Sequence, residues 1–308
     1  MEHPFQRWID LARPRAQLWR TAIGSVLVVA AWLVWTMIFG LIAIGGGLVS
    51  PDALGAVMGQ GEASLTWLDA VMAMGVLLAT FWGLWLGVWL VTKLLHRREL
   101  STVFAHDGRI RMDQFVVGMA LAAGYLALSL GSTWFSGAPP VRSGLPMEHW
   151  LIAFAPLAVL IFFQTAGEEL FFRGYLTQQL AARVPHPLVW GLLPSLAFGL
   201  AHTANGGGDA QFAVYYVAVA TLLGLVMTAL VWRTGGLAAA MGFHLMNNIG
   251  AMLLVGITGV SPPISLFVMD YSTMMGSAPT DVLVLGLLLA FVLSPFAPLP
   301  KGQPLRRK

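Results

Sequence analysis

Long stretches with almost no charged side chains constrain this sequence more than any other feature. A helix needs about 20 apolar residues to cross the hydrocarbon core of a bilayer. Eight stretches of about this length lie at approximately residues 22–48, 70–92, 114–136, 150–167, 188–204, 211–232, 238–257 and 281–299. Charged residues make up only 10% of the chain, whereas a soluble domain contains about 25%. The sequence therefore predicts an all-α polytopic membrane protein with about eight transmembrane helices.

Three of these stretches carry further expectations. The first, within residues 21–51, is too long for the apolar core of a secretory signal peptide, so we interpret it as a membrane span. The fourth is expected to continue as helix beyond a pair of glutamates to about Ala182. The fifth is the shortest, and Pro194 interrupts it.

The basic side chains indicate the orientation in the membrane. With eight spans, every lysine and arginine except Arg142 falls on the side that holds both chain ends, whereas the opposite loops carry acidic residues, Asp270 and Asp281 among them. Cytoplasmic loops are rich in Lys and Arg, so we expect both termini to be cytoplasmic. The expected location is a bacterial inner (cytoplasmic) membrane, with the lipid bilayer as surroundings. The net charge of +3 follows from this placement and indicates no nucleic-acid partner.

A compact group of charges follows the fourth apolar stretch. Residues 167–173 read GEELFFR and place Glu168, Glu169 and Arg173 close together on one helix. A charged side chain at the bilayer centre costs about 2.5–3.5 kcal/mol on insertion scales, so an ionisable group inside a span is a candidate functional group. The alternative is that both glutamates lie at the membrane interface and only end the helix.

Two histidines differ from the others because each lies within an apolar stretch. His202 ends the string FGLAH, and His244 begins the string HLMNN. The i, i+4 spacing places His244 and Asn248 on one helix face. Taken alone, each histidine is more often a hydrogen-bonded interior residue than a ligand. Taken together, the polar groups of the fourth, fifth and seventh spans could meet in one pocket.

This set of side chains suits hydrolysis. Two imidazoles and a carboxylate can bind zinc and activate its water, with a second carboxylate as general base. The HExxH motif of soluble zinc proteases is absent, so the ligands would have to come from separate helices. Cysteine is also absent, which excludes thiolate ligands and disulfides.

Three short motifs in this region resemble those of one protein family. The string GEELFFR matches the EExxxR motif of the CAAX-processing and bacteriocin-processing intramembrane metalloproteases, also called the Abi or type II CAAX prenyl endopeptidase family. Residues 198–202 match its FxxxH motif and residues 244–248 its HxxxN motif, in the expected order. Each motif alone is weak, but the ordered set is specific. The resemblance covers residues 150–257, about a third of the chain.

The resemblance implies an eight-helix intramembrane endopeptidase with a defined set of catalytic residues. Glu168 would activate the attacking water. His202 and His244 would bind a metal or stabilise the oxyanion, and Asn248 would assist them. Zinc is the expected metal, although two histidines and one asparagine are fewer strong ligands than a catalytic zinc usually has. A metal-free site, with a Glu-activated water and an oxyanion hole of His and Asn, therefore stays open.

The remaining motif residues are assigned supporting roles by the same resemblance. Glu169 and Arg173 would orient the site. Phe171, Phe172 and Phe198 would line an apolar groove for the substrate, and simple packing is the alternative for these aromatic side chains.

From these residues we predict an intramembrane endopeptidase that cleaves a peptide bond near the cytoplasmic side, in a peptide or a membrane-associated protein. One alternative is a non-catalytic membrane scaffold, immunity factor or regulator. Another is a proton-coupled transporter, although no internal repeat of the kind found in transporters is visible. The sequence carries no signal for an oligomeric state or for a prenylated substrate.

We divide the chain into residues 1–149 (basic segment and spans one to three), 150–257 (motif-bearing spans four to seven) and 258–308 (span eight and basic tail).

One geometric condition follows if the polar groups of the fourth, fifth and seventh spans form a single site. At a rise of about 1.5 Å per residue, a straight fifth span would carry His202 too deep to reach Glu168. We therefore expect the fifth span to start outside the membrane core, to tilt strongly or to be displaced at Pro194.

Overall fold

A computed structural model describes residues 3–58, 65–135, 137–206 and 209–300, and most of this part of the chain is helical. Its α-helices are α1 (Pro4–Asp10), α2 (Leu18–Gly45), α3 (Pro51–Val57), α4 (Trp67–Ala79), α5 (Trp82–Leu90), α6 (Ser101–Phe104), α7 (Met112–Phe135), α8 (Met147–Glu169), α9 (Thr177–Arg183), α10 (Leu193–Ala201), α11 (Ala210–Thr234), α12 (Ala238–Ile249) and α13 (Tyr271–Leu293). Four π-helical segments extend or join them, at Val91–Leu95, Leu170–Leu176, Leu188–Leu192 and Gly250–Leu254.

Within the described residues, six helices are long and apolar enough to cross a membrane. They are Leu18–Gly45, Trp67–Leu95, Met112–Phe135, Met147–Arg183, Ala210–Thr234 and Tyr271–Leu293. The prediction of an all-α, multi-pass integral membrane protein is thereby confirmed, although its count of eight spans is not. The expected fifth and seventh spans form shorter helices, the first composed of Leu188–Leu192 and α10 and the second being Ala238–Leu254.

The last membrane helix starts earlier than the sequence suggested. We placed the eighth span at 281–299 and counted Asp281 with the loops, but α13 begins at Tyr271 and ends at Leu293. Asp281 is therefore buried inside the helix. The physical reason is that hydroxyl groups of neighbouring helices donate hydrogen bonds to this carboxylate, which removes much of the cost of enclosing it.

Polar side chains start several helices by capping their free backbone N–H groups. The Ser50 hydroxyl accepts from the N–H of Ala53 at the start of α3, 3.1 Å away. The Asp209 carboxylate accepts from the N–H of Phe212 at the start of α11, at 2.9 Å. Such caps satisfy donors that have no partner within the helix.

The structure also contains a small three-stranded sheet, which the sequence analysis did not predict. Strands β1 (Val141–Arg142), β3 (Phe267–Met269) and β2 (Val255–Ile257) lie side by side in that order, with β1–β3 antiparallel and β2–β3 parallel. The sheet joins the segment before α8 to the end of the α12 region and to the segment before α13.

The N-terminal segment packs into the end of the bundle that carries the basic loops. The side chains of Phe5, Trp8 and Ile9 are almost completely buried. The Trp8 indole donates to the Val103 carbonyl at 3.1 Å, and the Gln178 amide donates to the Trp8 carbonyl at 2.9 Å. The basic segments thus meet at one end of the bundle; the cytoplasmic placement of the termini stays a prediction.

Arg233, at the end of α11, fixes the C-terminal end of α13. Its buried guanidinium donates to four backbone carbonyls, those of Val292, Ser294, Leu299 and Pro300. Helix C-termini leave carbonyls without partners, and arginine is suited to satisfy several at once.

Helices α7 and α12 are in direct backbone contact through two glycines. A Cβ atom at Gly118 would lie 1.9 Å from the Ala239 carbonyl oxygen, and one at Gly242 would lie 2.0 Å from the Phe115 carbonyl oxygen. Small residues allow membrane helices to approach this closely, and the gain is van der Waals contact rather than burial from water. The contact fixes α12, which carries His244 and Asn248.

We predict that Gly118→Ala lowers the thermal unfolding midpoint of the protein in detergent micelles. The added methyl group would meet backbone atoms of α12, and overpacking of this kind costs about 1–3 kcal/mol. The matched control is Gly124→Ala in the same helix, where a Cβ atom meets nothing within 4 Å and alanine is the better helix former. Equal midpoints for the two variants would contradict the assigned α7–α12 contact.

Candidate active site

Glu168 and Glu169 end α8 where the helix changes its hydrogen-bonding pattern. Helix α8 passes into the π-helical segment Leu170–Leu176 and then into α9, so that one helical span runs over Met147–Arg183. This confirms the expectation that the fourth span continues beyond the glutamates to about Ala182. π-Helical turns within α-helices are frequent at functional sites.

Glu169 is fully buried and binds two partners through one carboxylate oxygen. Arg173 Nη1 donates to Oε1 at 2.7 Å, and His244 Nδ1 lies 2.8 Å from the same oxygen. An ionised carboxylate only accepts hydrogen bonds, so we assign Nδ1 of His244 as the N–H donor. Glu169 therefore joins α8 to α12 and fixes the orientation of the imidazole.

The other ring nitrogen of His244 faces Glu168. Its Nε2 lies 3.5 Å from Glu168 Oε2, and both side chains are buried. A carboxylate only accepts hydrogen bonds, so a proton on Nε2 would be directed at Glu168. If His244 holds it, the cluster carries two negative charges on Glu168 and Glu169 and two positive charges on Arg173 and His244. Burying ionised groups requires this kind of compensation.

Gln164, one turn before Glu168, links the glutamate to the asparagine motif. Its Nε2 donates to Glu168 Oε2 at 2.7 Å, and its Oε1 accepts from Asn248 Nδ2 at 3.1 Å. Asn247 in turn donates to Asn248 Oδ1 at 3.2 Å. The sequence analysis missed Gln164, although a polar residue four positions before Glu168 on an apolar helix was a usable signal.

The Phe198 ring connects α10 to the buried ion pair. Arg173 Cζ lies 4.2 Å from the centre of this ring, a cation–π contact that stabilises the guanidinium in a dry environment. The His202 and His244 rings lie with their centroids 4.4 and 5.5 Å from that of Phe198. The two imidazole centroids are consequently no more than about 10 Å apart.

His202 lies at the C-terminal end of the short helix α10. Its Nδ1 lies 2.7 Å from the Phe198 carbonyl oxygen, so we assign Nδ1 as the donor and Nε2 as the nitrogen left for other partners. Pro194 is the second residue of α10, directly after the π-helical segment Leu188–Leu192. The expected fifth span is thus short and irregular around Pro194, and the tilt or displacement that we expected of it stays a prediction.

Two glycines make room for this arrangement. A Cβ atom at Gly224 of α11 would lie 2.8 Å from Arg173 Nη2 and 2.9 Å from Ser195 Cβ, whereas one at Gly199 would lie 2.1 Å from Thr221 Oγ1. Helices α10 and α11 therefore pack directly against each other beside the Arg173 guanidinium.

Phe171 and Phe172 are buried in the helix bundle. The Phe172 ring packs edge-on against Phe198 with centroids 5.2 Å apart, and Phe171 stacks on Tyr175 at 6.3 Å. Packing accounts for their contacts, and their role with Phe198 in binding substrate stays a prediction.

The described side chains of this site supply too few ligands for a catalytic zinc ion. Glu168 Oε2 and His244 Nε2, 3.5 Å apart, are close enough to share an ion. A catalytic zinc, however, is held by three protein ligands, and the described residues contain no group of three His, Asp or Glu side chains that could hold one. We therefore derive no reaction step through a metal at this site.

Comparison with known proteins agrees with the motif resemblance. Residues 150–250 match the family described as type II CAAX prenyl endopeptidase, Rce1-like. This segment contains α10, α11, α12, all of α8 except its first three residues, and every side chain of the candidate site. The chain is also 29% identical over 169 residues to the uncharacterized protein YyaK of Bacillus subtilis (strain 168). The match covers 53% of this chain and 54% of that protein, so the chain spans about half the length of this curated relative.

We predict that Glu169→Gln strongly destabilises the protein, because it removes the carboxylate that directly pairs with the fully buried Arg173 guanidinium. Breaking a buried pair costs about 3–5 kcal/mol, which thermal unfolding in detergent would detect. Asp107→Asn is the matched control, since Asp107 and Arg111 form an i, i+4 pair of similar length, 3.0 against 2.7 Å, on the surface. Screened surface pairs contribute little, so equal losses in the two variants would contradict the assigned role of Glu169.

Proposed function

We propose that this protein is an intramembrane endopeptidase, because the segment that matches the endopeptidase family also contains the buried pair of Glu168 and His244. The observation that supports this best is that Glu169 holds the His244 imidazole so that its Nε2 faces the Glu168 carboxylate. The proposed substrate is a peptide or the end of a membrane-associated protein, cleaved near the cytoplasmic side of the membrane.

In the proposed mechanism, Glu168 is the general base. Its carboxylate takes a proton from a water molecule, the hydroxide attacks the carbonyl carbon of the peptide, and the protonated Glu168 then donates to the leaving amine. Gln164 holds the carboxylate in position through a 2.7 Å hydrogen bond. His202 Nε2, an acceptor in the neutral ring, is suited to bind the same water.

The oxyanion would be stabilised by donors on α12. When His244 is protonated, Nδ1–H stays on Glu169 and Nε2–H is available to the developing negative charge. Asn248 has a second amide N–H besides the one donated to Gln164. Two donors from one helix face form an oxyanion hole, and losing one such donor typically costs about 10²–10³ in rate.

We predict that Glu168→Gln reduces peptide cleavage by about 10²–10⁴-fold, the usual contribution of general acid–base catalysis. The protein would be reconstituted in liposomes and tested with a farnesylated CAAX peptide and with the same peptide without the lipid. Glu148→Gln is the matched control, because Glu148 is an exposed carboxylate at the start of the same helix. Wild-type activity in Glu168→Gln would remove the catalytic assignment and favour a scaffold or regulatory protein.

We also predict that cleavage persists after exhaustive dialysis against a zinc chelator, because the described donors do not complete a zinc site. Metal analysis of the active protein would accompany the assay. Loss of activity that stoichiometric zinc restores would replace the metal-free mechanism by one in which His202 and His244 bind the ion, and would leave the endopeptidase assignment intact.

A further inference from the structure

A second carboxylate lies inside the helix bundle, apart from the catalytic network. Asp281 lies within α13, and its side chain is only 4% exposed. Ionisable groups within membrane spans are costly and mark ion pathways, relays or binding sites. Among the described residues, no cationic side chain forms an ion pair with Asp281, which distinguishes it from Glu169.

Hydroxyl groups from three helices surround this carboxylate. Ser129 of α7 donates to Oδ1, and Tyr215 of α11 donates to Oδ2 at 2.8 Å. Ser277, one turn earlier on α13, donates to the Met274 carbonyl at 2.9 Å and lies beside the same carboxylate. Among the described residues, the site therefore presents oxygen atoms and one negative charge.

A polar cavity of about 300 Å³ lies beside this group, lined by residues of α7 and α13 and by Ala138. Five hydroxyl side chains line it, and they belong to Ser132, Ser272, Thr273, Ser277 and Thr280. Ser277 both lines the cavity and contacts Asp281, and Ser132 lies one turn from Ser129 on the same face of α7.

From this geometry we propose that Asp281, with Ser129, Tyr215 and Ser277, forms a binding site for a monovalent inorganic cation that enters through the hydroxyl-lined cavity. Oxygen donors are the ligands that hard cations prefer. A hydroxyl has one donor and two acceptor positions, so Ser129 and Tyr215 can keep their hydrogen bonds to Asp281 while they present a lone pair to the ion.

The charge of the site selects a monovalent ion. One carboxylate balances one positive charge, whereas a divalent ion would leave an uncompensated charge within the bundle. Calcium sites usually combine six to eight oxygen ligands that include several carboxylates, and among the described residues only Asp281 brings a carboxylate to this group of hydroxyls. The site shares no residue with the catalytic network, so the proposal does not depend on the proposed function.

The test is thermal unfolding of the full-length protein in detergent, titrated with NaCl or KCl at an ionic strength held constant with N-methyl-D-glucamine chloride. An ion that binds the folded state alone raises the unfolding midpoint in a saturable way. We expect this for the wild type, and the comparison of Na⁺ with K⁺ identifies the preferred ion. Identical midpoints in all three salts would overturn the proposal.

Three variants locate the effect. Asp281→Asn should abolish the cation-dependent shift, whereas Asp270→Asn, an exposed carboxylate at the start of the same helix, should leave it unchanged. Ser277→Ala keeps the charge of Asp281. It should raise the cation concentration that gives half of the stabilising effect by about tenfold, which corresponds to a loss of about 1.4 kcal/mol in binding. This variant tests the site even if Asp281→Asn does not fold. A shift that persists in Asp281→Asn, or an unchanged midpoint in Ser277→Ala, would show that Asp281 is only a structural hydrogen-bonding group.

Discussion

The enclosure of the Glu169 carboxylate, away from both water and lipid, is the constraint on which the rest of the site depends. A carboxylate in such a place must be matched by opposite charge and by hydrogen-bond donors. Arg173 from the same helix supplies the charge, and His244 from α12 supplies the second donor. Arg173 in turn lies on the Phe198 ring. The contacts that compensate the Glu169 charge therefore connect α8, α10 and α12.

Close helix contacts make these polar interactions possible. Apolar burial provides little drive for helix association inside a bilayer, since lipid tails are as apolar as the side chains. Glycines on α7, α11 and α12 bring backbones into contact instead, and each of them lies beside an element that carries a site residue. The same physical solution, polar groups between closely packed helices, recurs at Asp281, where hydroxyl groups take the place of the arginine.

Sequence patterns predicted the parts of this structure that depend on local properties. Apolar length identified the six long membrane helices, and the motifs around Glu168 and His244 indicated two groups that lie side by side. The length of α13 and the burial of Asp281 were missed because a charge was taken as the end of a span, whereas Ser129 and Tyr215, distant in sequence, make its burial tolerable. Gln164 was missed although its spacing from Glu168 is visible in the sequence, whereas its bond to Asn248 of α12 depends on tertiary structure.

The short helix α10 has a consequence for the surrounding lipid. From residue 188 to residue 201 this helical stretch measures about 21 Å at 1.5 Å per residue, whereas the adjacent α11 has 25 residues. Leu193, Leu196 and Leu200 are exposed on α10 and therefore available to acyl chains. A hydrocarbon layer about 30 Å thick cannot match both helices, so hydrophobic mismatch compresses the leaflet along this flank. Headgroups and water then approach His202 more closely there than an undeformed bilayer would allow.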